Sequence, residues 1–245
     1  MKVSDIFMLY DIKKKSMKTI LTILLISFST LLFGQNSNYE KWKSMAENDI
    51  NLQPEYGNAQ KSEEQIKSDN EFVEEILKHY KNKEEASKEM TKLGMNYLYE
   101  KGDFVTAMKR FNQAFLLNKE NADVYYGYGT IYFNLGAFED ARFQYDKGLK
   151  LNPNHSEMLT DYGTTYLADF YENENKESLT RADEYLKKSL KIDDKNSNTI
   201  YKLSIVNMYS GNCDEANKYL KSAKKLKNPN VTEAFENELK EACKK

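Results

Sequence analysis

Apolar and polar residues alternate at helical spacing through much of this chain, most legibly over Ala122–Pro153. Tyr125, Tyr128, Gly129 and Tyr132 share one face of a helix. Gly136 breaks that run, as a residue free to turn left-handed does at a helix end. Phe138, Ala141, Tyr145, Gly148, Leu149 and Leu151 make a second apolar face. Pro153 stops it, because proline cannot continue a helix and disfavours α at the residue before it. Two helices joined by so short a turn must lie antiparallel. Gly129, Ala141 and Gly148 are small where helix axes approach, and Tyr132, Phe138 and Tyr145 are large where a gap must be filled.

Gly129, Tyr132, Gly136, Phe138, Ala141, Tyr145, Gly148 and Pro153 resemble, position by position, the tetratricopeptide repeat (TPR), whose signature recurs about every 34 residues. One period earlier stand Leu93, Gly94, Tyr97, Gly102, Phe104, Ala107, Phe111, Ala114 and Leu117, with one extra residue between Gly94 and Gly102 and Lys119 in place of the proline. One period later stand Leu159, Tyr162, Gly163 and Tyr166, then an insertion over roughly Asp169–Thr180, then Ala182, Leu186, Ser189 and Ile192. A further period gives Ile200, Leu203, Ser204, Gly211, Ala216, Leu220, Ala223 and Leu226. The expectation is an all-α, antiparallel helix-hairpin solenoid. Its repeats fall at about 87–121, 122–155, 156–196 and 197–229, within an array spanning 69–245. The resemblance implies a right-handed superhelix whose concave groove is lined by the first helix of each hairpin.

Such arrays need covers, because each end otherwise exposes an apolar face. Ser68–Glu71 reads as a capping box opening a helix over 69–81, with Phe72, Val73, Ile76, Leu77 and Tyr80 on one face. Pro229 and Asn230 introduce a closing helix over 230–243, with Val231, Ala234, Phe235, Leu239 and Ala242 inward.

Upstream, Thr19–Phe33 is an apolar run of about 14 residues behind Lys13, Lys14, Lys15 and Lys18, and Gly34 follows. It reads as a secretory signal peptide over 1–34, too short for a span of about 20 apolar residues. An uncleaved anchor, which alone would bring membrane contact, is the alternative. Met17 opens a tidier signal than Met1. Gln35 stands where a lipoprotein box needs cysteine, which excludes lipidation there. Residues 35–68 are polar and read as a partly disordered linker. Tyr39, Trp42, Met45 and Ala46 could share a helix face, and docking of Leu52–Tyr56 on the array is the competing reading.

The formal net charge is −2 with 30% charged residues, and the lysines interleave with Glu and Asp. That patterning suits a solvated helical surface and gives no footprint for nucleic acid. Loss of residues 1–34 removes five Lys and two Asp, leaving the mature chain more acidic. In an exported protein, Cys213 and Cys243 are expected to pair, since the chain folds back at Lys227–Asn230 and brings them level. Closing that loop stabilises by about 3.7 kcal/mol on the chain-entropy model. Two free thiols are the alternative.

No phosphate-cradling glycine loop, nucleophile elbow or H-E-x-x-H motif is present, so no enzyme and no cofactor is expected. His79 and His155 show no metal-ligand spacing, and His155 reads as a solvated turn residue. The resemblance places the functional surface in the groove. It implies Asp123, Tyr126, Thr130, Phe133 and Asn134 in the second repeat, Glu157, Thr160, Thr164 and Leu167 in the third, and Asn198, Tyr201, Ile205, Met208 and Tyr209 in the fourth. One TPR subclass grips chaperone C-terminal carboxylates with Lys, Asn and Arg, and only Asn198 and Lys202 stand near that set here. The expected partner is a neutral or basic protein or peptide, bound by an envelope scaffold. Self-association through an array end and, more remotely, carbohydrate or cell-wall binding are the alternatives.

Overall fold

The structure is a computed structural model that describes residues 38–244. The signal-peptide and cleavage expectations lie outside the described residues. The described residues divide into two units, 38–48 and 49–244. In the first, residues 38–48 form a helix (α1) whose Trp42 and Ala46 are buried while Met45 is exposed.

The second unit opens with two 3-10 turns, Ile50–Leu52 and Pro54–Asn58. Ten helices follow: α2 Glu63–Ile76, α3 Lys83–Tyr99, α4 Phe104–Leu117, α5 Ala122–Asn134, α6 Phe138–Leu151, α7 Ser156–Asn173, α8 Lys176–Ile192, α9 Ser197–Tyr209, α10 Cys213–Lys225 and α11 Glu233–Ala242. There are no strands among the described residues, and no described helix is long and apolar enough to cross a membrane.

Helices α3–α10 pair as four antiparallel hairpins: α3/α4, α5/α6, α7/α8 and α9/α10. Each second helix packs on the first helix of the next hairpin. Successive first helices also meet, α3 with α5, α5 with α7 and α7 with α9, which puts them on the inner side of the stack. Asn82, Asp103, Asn121 and Asn196 cap their helices by accepting from backbone N–H groups of the first turn. Gly136, at φ +76°, makes the left-handed exit from α5. A Cβ on Gly94 would sit 2.5 Å from the Phe111 ring, so α3 and α4 approach only because this residue is glycine.

The core is a file of side chains running along the stack. Phe111, Tyr128, Tyr145, Leu186 and Leu203 are fully buried, and Phe111, Leu186 and Leu203 are each worth about 1.5–3 kcal/mol of transfer free energy. The insertion expected over roughly Asp169–Thr180 is mostly helical. It lengthens α7 to 18 residues, and left-handed Glu174 (φ 52°) turns the chain directly into α8.

Three expectations at the ends are corrected. The capping box that opens α2 is Ser62 with Gln65, six residues before Ser68, and Phe72, Val73, Ile76, Leu77 and Tyr80 are only half-buried. The closing helix starts at Glu233, capped by Thr232, and buries only Phe235 and Leu239; Ala234 and Ala242 are exposed. Residues 49–58 are ordered on the array rather than forming linker, with Leu52 3% and Tyr56 8% exposed. The cause is Asn112 of α4, whose buried amide hydrogen-bonds their backbone.

Candidate functional site: the inner groove

The first three inner helices line an open recess of about 470 Å³. Lys88, Thr91, Lys92 and Met95 of α3 form one wall, Asp123 and Tyr126 of α5 form its middle, and His155 and Glu157 close it at the start of α7.

His155 is not a solvated turn residue. Its side chain is only 10% exposed, and its Nδ1 accepts from the Met158 backbone N–H at 3.2 Å, capping α7. A nitrogen that accepts carries no proton, so in neutral His155 the hydrogen is on Nε2. Nε2 lies 3.2 Å from Asp123 Oδ1, and the Tyr126 ring packs on the imidazole at 4.9 Å. The hydrogen bond from His155 holds the Asp123 carboxyl below its ordinary range. Lys88 adds a weaker attraction from across the groove.

Deeper in, the Tyr126 hydroxyl donates to Asp161 Oδ2 at 3.0 Å. Burial pushes the Asp161 carboxyl up, and Lys202 of α9 opposes that by its charge. Burial likewise lowers the Lys202 ammonium, with Asp161 opposing. These two charges belong to a floor shared by α5, α7 and α9.

The expected lining residues separate into two groups. Asp123, Asn134 and Glu157 are exposed, and Tyr126, Phe133 and Thr164 are half-buried on the same side. Thr130 and Thr160 are 2% and 3% exposed and face into packing. The Thr130 hydroxyl donates to the Tyr126 carbonyl. Thr160 Oγ1 joins a sealed hydroxyl cluster with Ser189 at 2.8 Å and Thr199 at 2.6 Å.

In the last hairpin Tyr201, Ile205 and Met208 are occupied by the chain itself. Phe235 and Leu239 of α11 pack on them, with the Tyr201 and Phe235 rings 5.0 Å apart, edge to face. Cys213 and Cys243 form a disulfide, their Cα atoms 5.7 Å apart, tying the end of α11 to the start of α10. Lys88, Lys92, Met95 and Asp161 were not singled out from the sequence as groove residues, and neither His155 nor Lys202 was placed in the lining. The two α3 lysines change the character of the rim, which is basic on α3 and acidic across from it. Among the described residues no cluster of His, Cys, Asp and Glu is disposed to hold a metal ion.

Such a stack, with a groove on its inner side, is a TPR-like helical-hairpin solenoid. Residues 98–160 match the family model of the tetratricopeptide repeat. Among solved structures, a thermophilic TPR protein of Thermus thermophilus is similar at a TM-score of 0.52 and 21% identity, over 59% of this chain and 77% of that one. MamA is similar at 0.48 and 21% identity, over 64% and 85%. The first TPR of Spaghetti (RPAP3), bound to an HSP90 peptide, gives 0.44 and 18% identity, over 51% and 92%. Comparison with curated proteins gave no match.

Proposed function

We propose that the protein is an exported scaffold of the cell envelope that binds a peptide segment of another protein in the groove across α3, α5 and α7. The observation that carries the reading is the open cavity with opposed charged walls and an aromatic floor at Tyr126. A pocket of this kind suits an extended or helical segment that places an aliphatic or aromatic side chain against Tyr126 and Met95. Lys88 and Lys92 suit an acidic group on one side, and Asp123 and Glu157 suit a basic group on the other. The expectation of a purely neutral or basic ligand therefore broadens to a segment of mixed charge. The basic, apolar run within residues 1–34 supports export.

The test is affinity capture from envelope extract with residues 35–245, beside a Tyr126→Ala/Lys92→Glu variant of matched helicity. A protein retained by the wild type and lost by the variant supports the reading. Equal retention by both removes function from the groove.

A further inference from the structure

Residues 49–58 form a strap that lies away from the groove, on the side of the second helices. They reach α4 through Asn112 and Lys109, α5 through Tyr128 and α6 through Lys147. The Asn112 side chain is fully buried and all its hydrogen-bonding capacity is used. Its Nδ2 donates to the carbonyls of Asn51 and Gln53, both at 2.9 Å. Its Oδ1 accepts from the Tyr128 hydroxyl at 2.6 Å and from the Tyr56 backbone N–H at 3.4 Å. The Tyr128 oxygen in turn accepts from the Glu55 backbone N–H at 3.3 Å. Four contacts thus read the main chain of the strap and none reads a side chain. Side-chain recognition comes from four anchors: buried Leu52, buried Tyr56, Glu55 paired with Lys147, and Asp49 paired with Lys109 at 3.5 Å.

The docked strap is strained. Glu55, Tyr56, Gly57 and Asn58 all lie left-handed, at φ 58°, 56°, 64° and 53°. Glycine adopts that conformation freely and asparagine tolerates it, but Glu55 and Tyr56 do not. Each disfavours the turn by roughly five- to thirtyfold. Gly57 adopts φ 64° without penalty, where a β-branched residue would be strongly disfavoured. A strained turn held by main-chain hydrogen bonds gains much of its occupancy from its tether, through high effective concentration. A ligand held mainly by its tether can be displaced by the same segment supplied from another copy once that copy's concentration rivals the tether's effective concentration.

We propose that Asn112, Tyr128 and Lys147 form a turn-binding site on the outer side of the first two hairpins. Residues 49–58 are its tethered ligand, exchangeable with the same segment of a second copy. The sequence it reads is an apolar residue at position 52, an acidic residue at 55 and an aromatic at 56, with a residue tolerant of left-handed backbone at 57, as in Leu52–Gly57.

The probe is a labelled synthetic peptide of residues 47–60, followed by fluorescence anisotropy. A Leu52→Ser/Tyr56→Ser chain, with its own strap released, should bind the peptide at least tenfold more tightly than the wild type does. A Gly57→Val peptide should not bind. Adding Lys147→Glu to the released chain should weaken binding several-fold, and a Glu55→Lys peptide should restore it. A merely structural role for Lys147 would give no such rescue. No binding by a released chain of native helicity, equal binding of the Gly57→Val peptide, or absence of charge rescue each overturns the proposal. Amide exchange on the wild type provides a check that needs no variant to fold. Amides of Glu55 and Tyr56 should exchange through local opening at least tenfold faster than those of Phe111 and Tyr128. Equal protection overturns exchangeability.

Discussion

Two neighbouring junctions use the same geometry and reach opposite results. Between the first two hairpins, Asn112 of α4 accepts from Tyr128 of α5. Between the second and third, Asp146 of α6 accepts from Tyr162 of α7 at 3.1 Å. Asn112 is buried beneath the strap, while Asp146 is exposed and nearby Phe143 stands 58% exposed. At the second junction Tyr162 is covered instead by Tyr185, stacked at 4.0 Å. The difference lies in one functional group. An amide offers two donors and an acceptor, so backbone can cover it without loss. A carboxylate only accepts, and burying it opposite carbonyls would cost several kcal/mol, so it stays in water.

Exchanging those groups should break the comparison most severely. Asn112→Asp keeps the acceptor for Tyr128 but leaves the Asn51 and Gln53 carbonyls without donors, beside a buried charge. The expected loss is about 3 kcal/mol by urea denaturation. The loss should shrink as pH falls, because the protonated acid regains a donor and its folded-state pKa is raised.

Tyr128→Phe is milder. It removes the acceptor for the Glu55 N–H and one donor to Asn112, for about 1–2 kcal/mol. A smaller effect is expected from the inner Tyr–Asp pair, Tyr126 with Asp161. The folded-state pKa of Asp161 is raised by burial, so the folded state binds more protons than the unfolded one above pH 3.8. The stability of wild type relative to Asp161→Asn should therefore fall as pH rises through the interval between 3.8 and the raised value. A flat difference across a pH series of melts would show that burial of this carboxyl is not felt. Smallest of all, Tyr162→Phe should change stability by less than about 0.5 kcal/mol, since Asp146 is already hydrated.

The hairpins were legible because their information is carried by side chains at fixed intervals. Gly136, Pro153 and the small residues at Gly94 and Gly129 state where helices stop and where they touch. The strap was only an alternative reading, because it docks through carbonyls and N–H groups that every residue possesses, and the residue that reads them lies 56 positions away. The wall of α3 is harder to read from the chain, since the extra residue before Gly102 blurs its alignment with later repeats. Lys202 and Asp161 each directly follow a residue expected in the lining, Tyr201 and Thr160. Tyr201, Ile205 and Met208 have the right spacing for a groove and lose it to α11, whose approach depends on the turn at Lys227–Asn230, with Lys227 left-handed at φ 55°.

A stack whose members touch only their neighbours melts like a zipper, from whichever end frays more easily. Here the two ends are not alike. At one, α2 has no buried residue. At the other, a covalent staple between Cys213 and Cys243 holds the last helix in place. The molecule therefore has a polarity in its fluctuations. Transient opening is expected at α2 before the stapled end, and the wall formed by α3 is the first part of the groove such opening would reach.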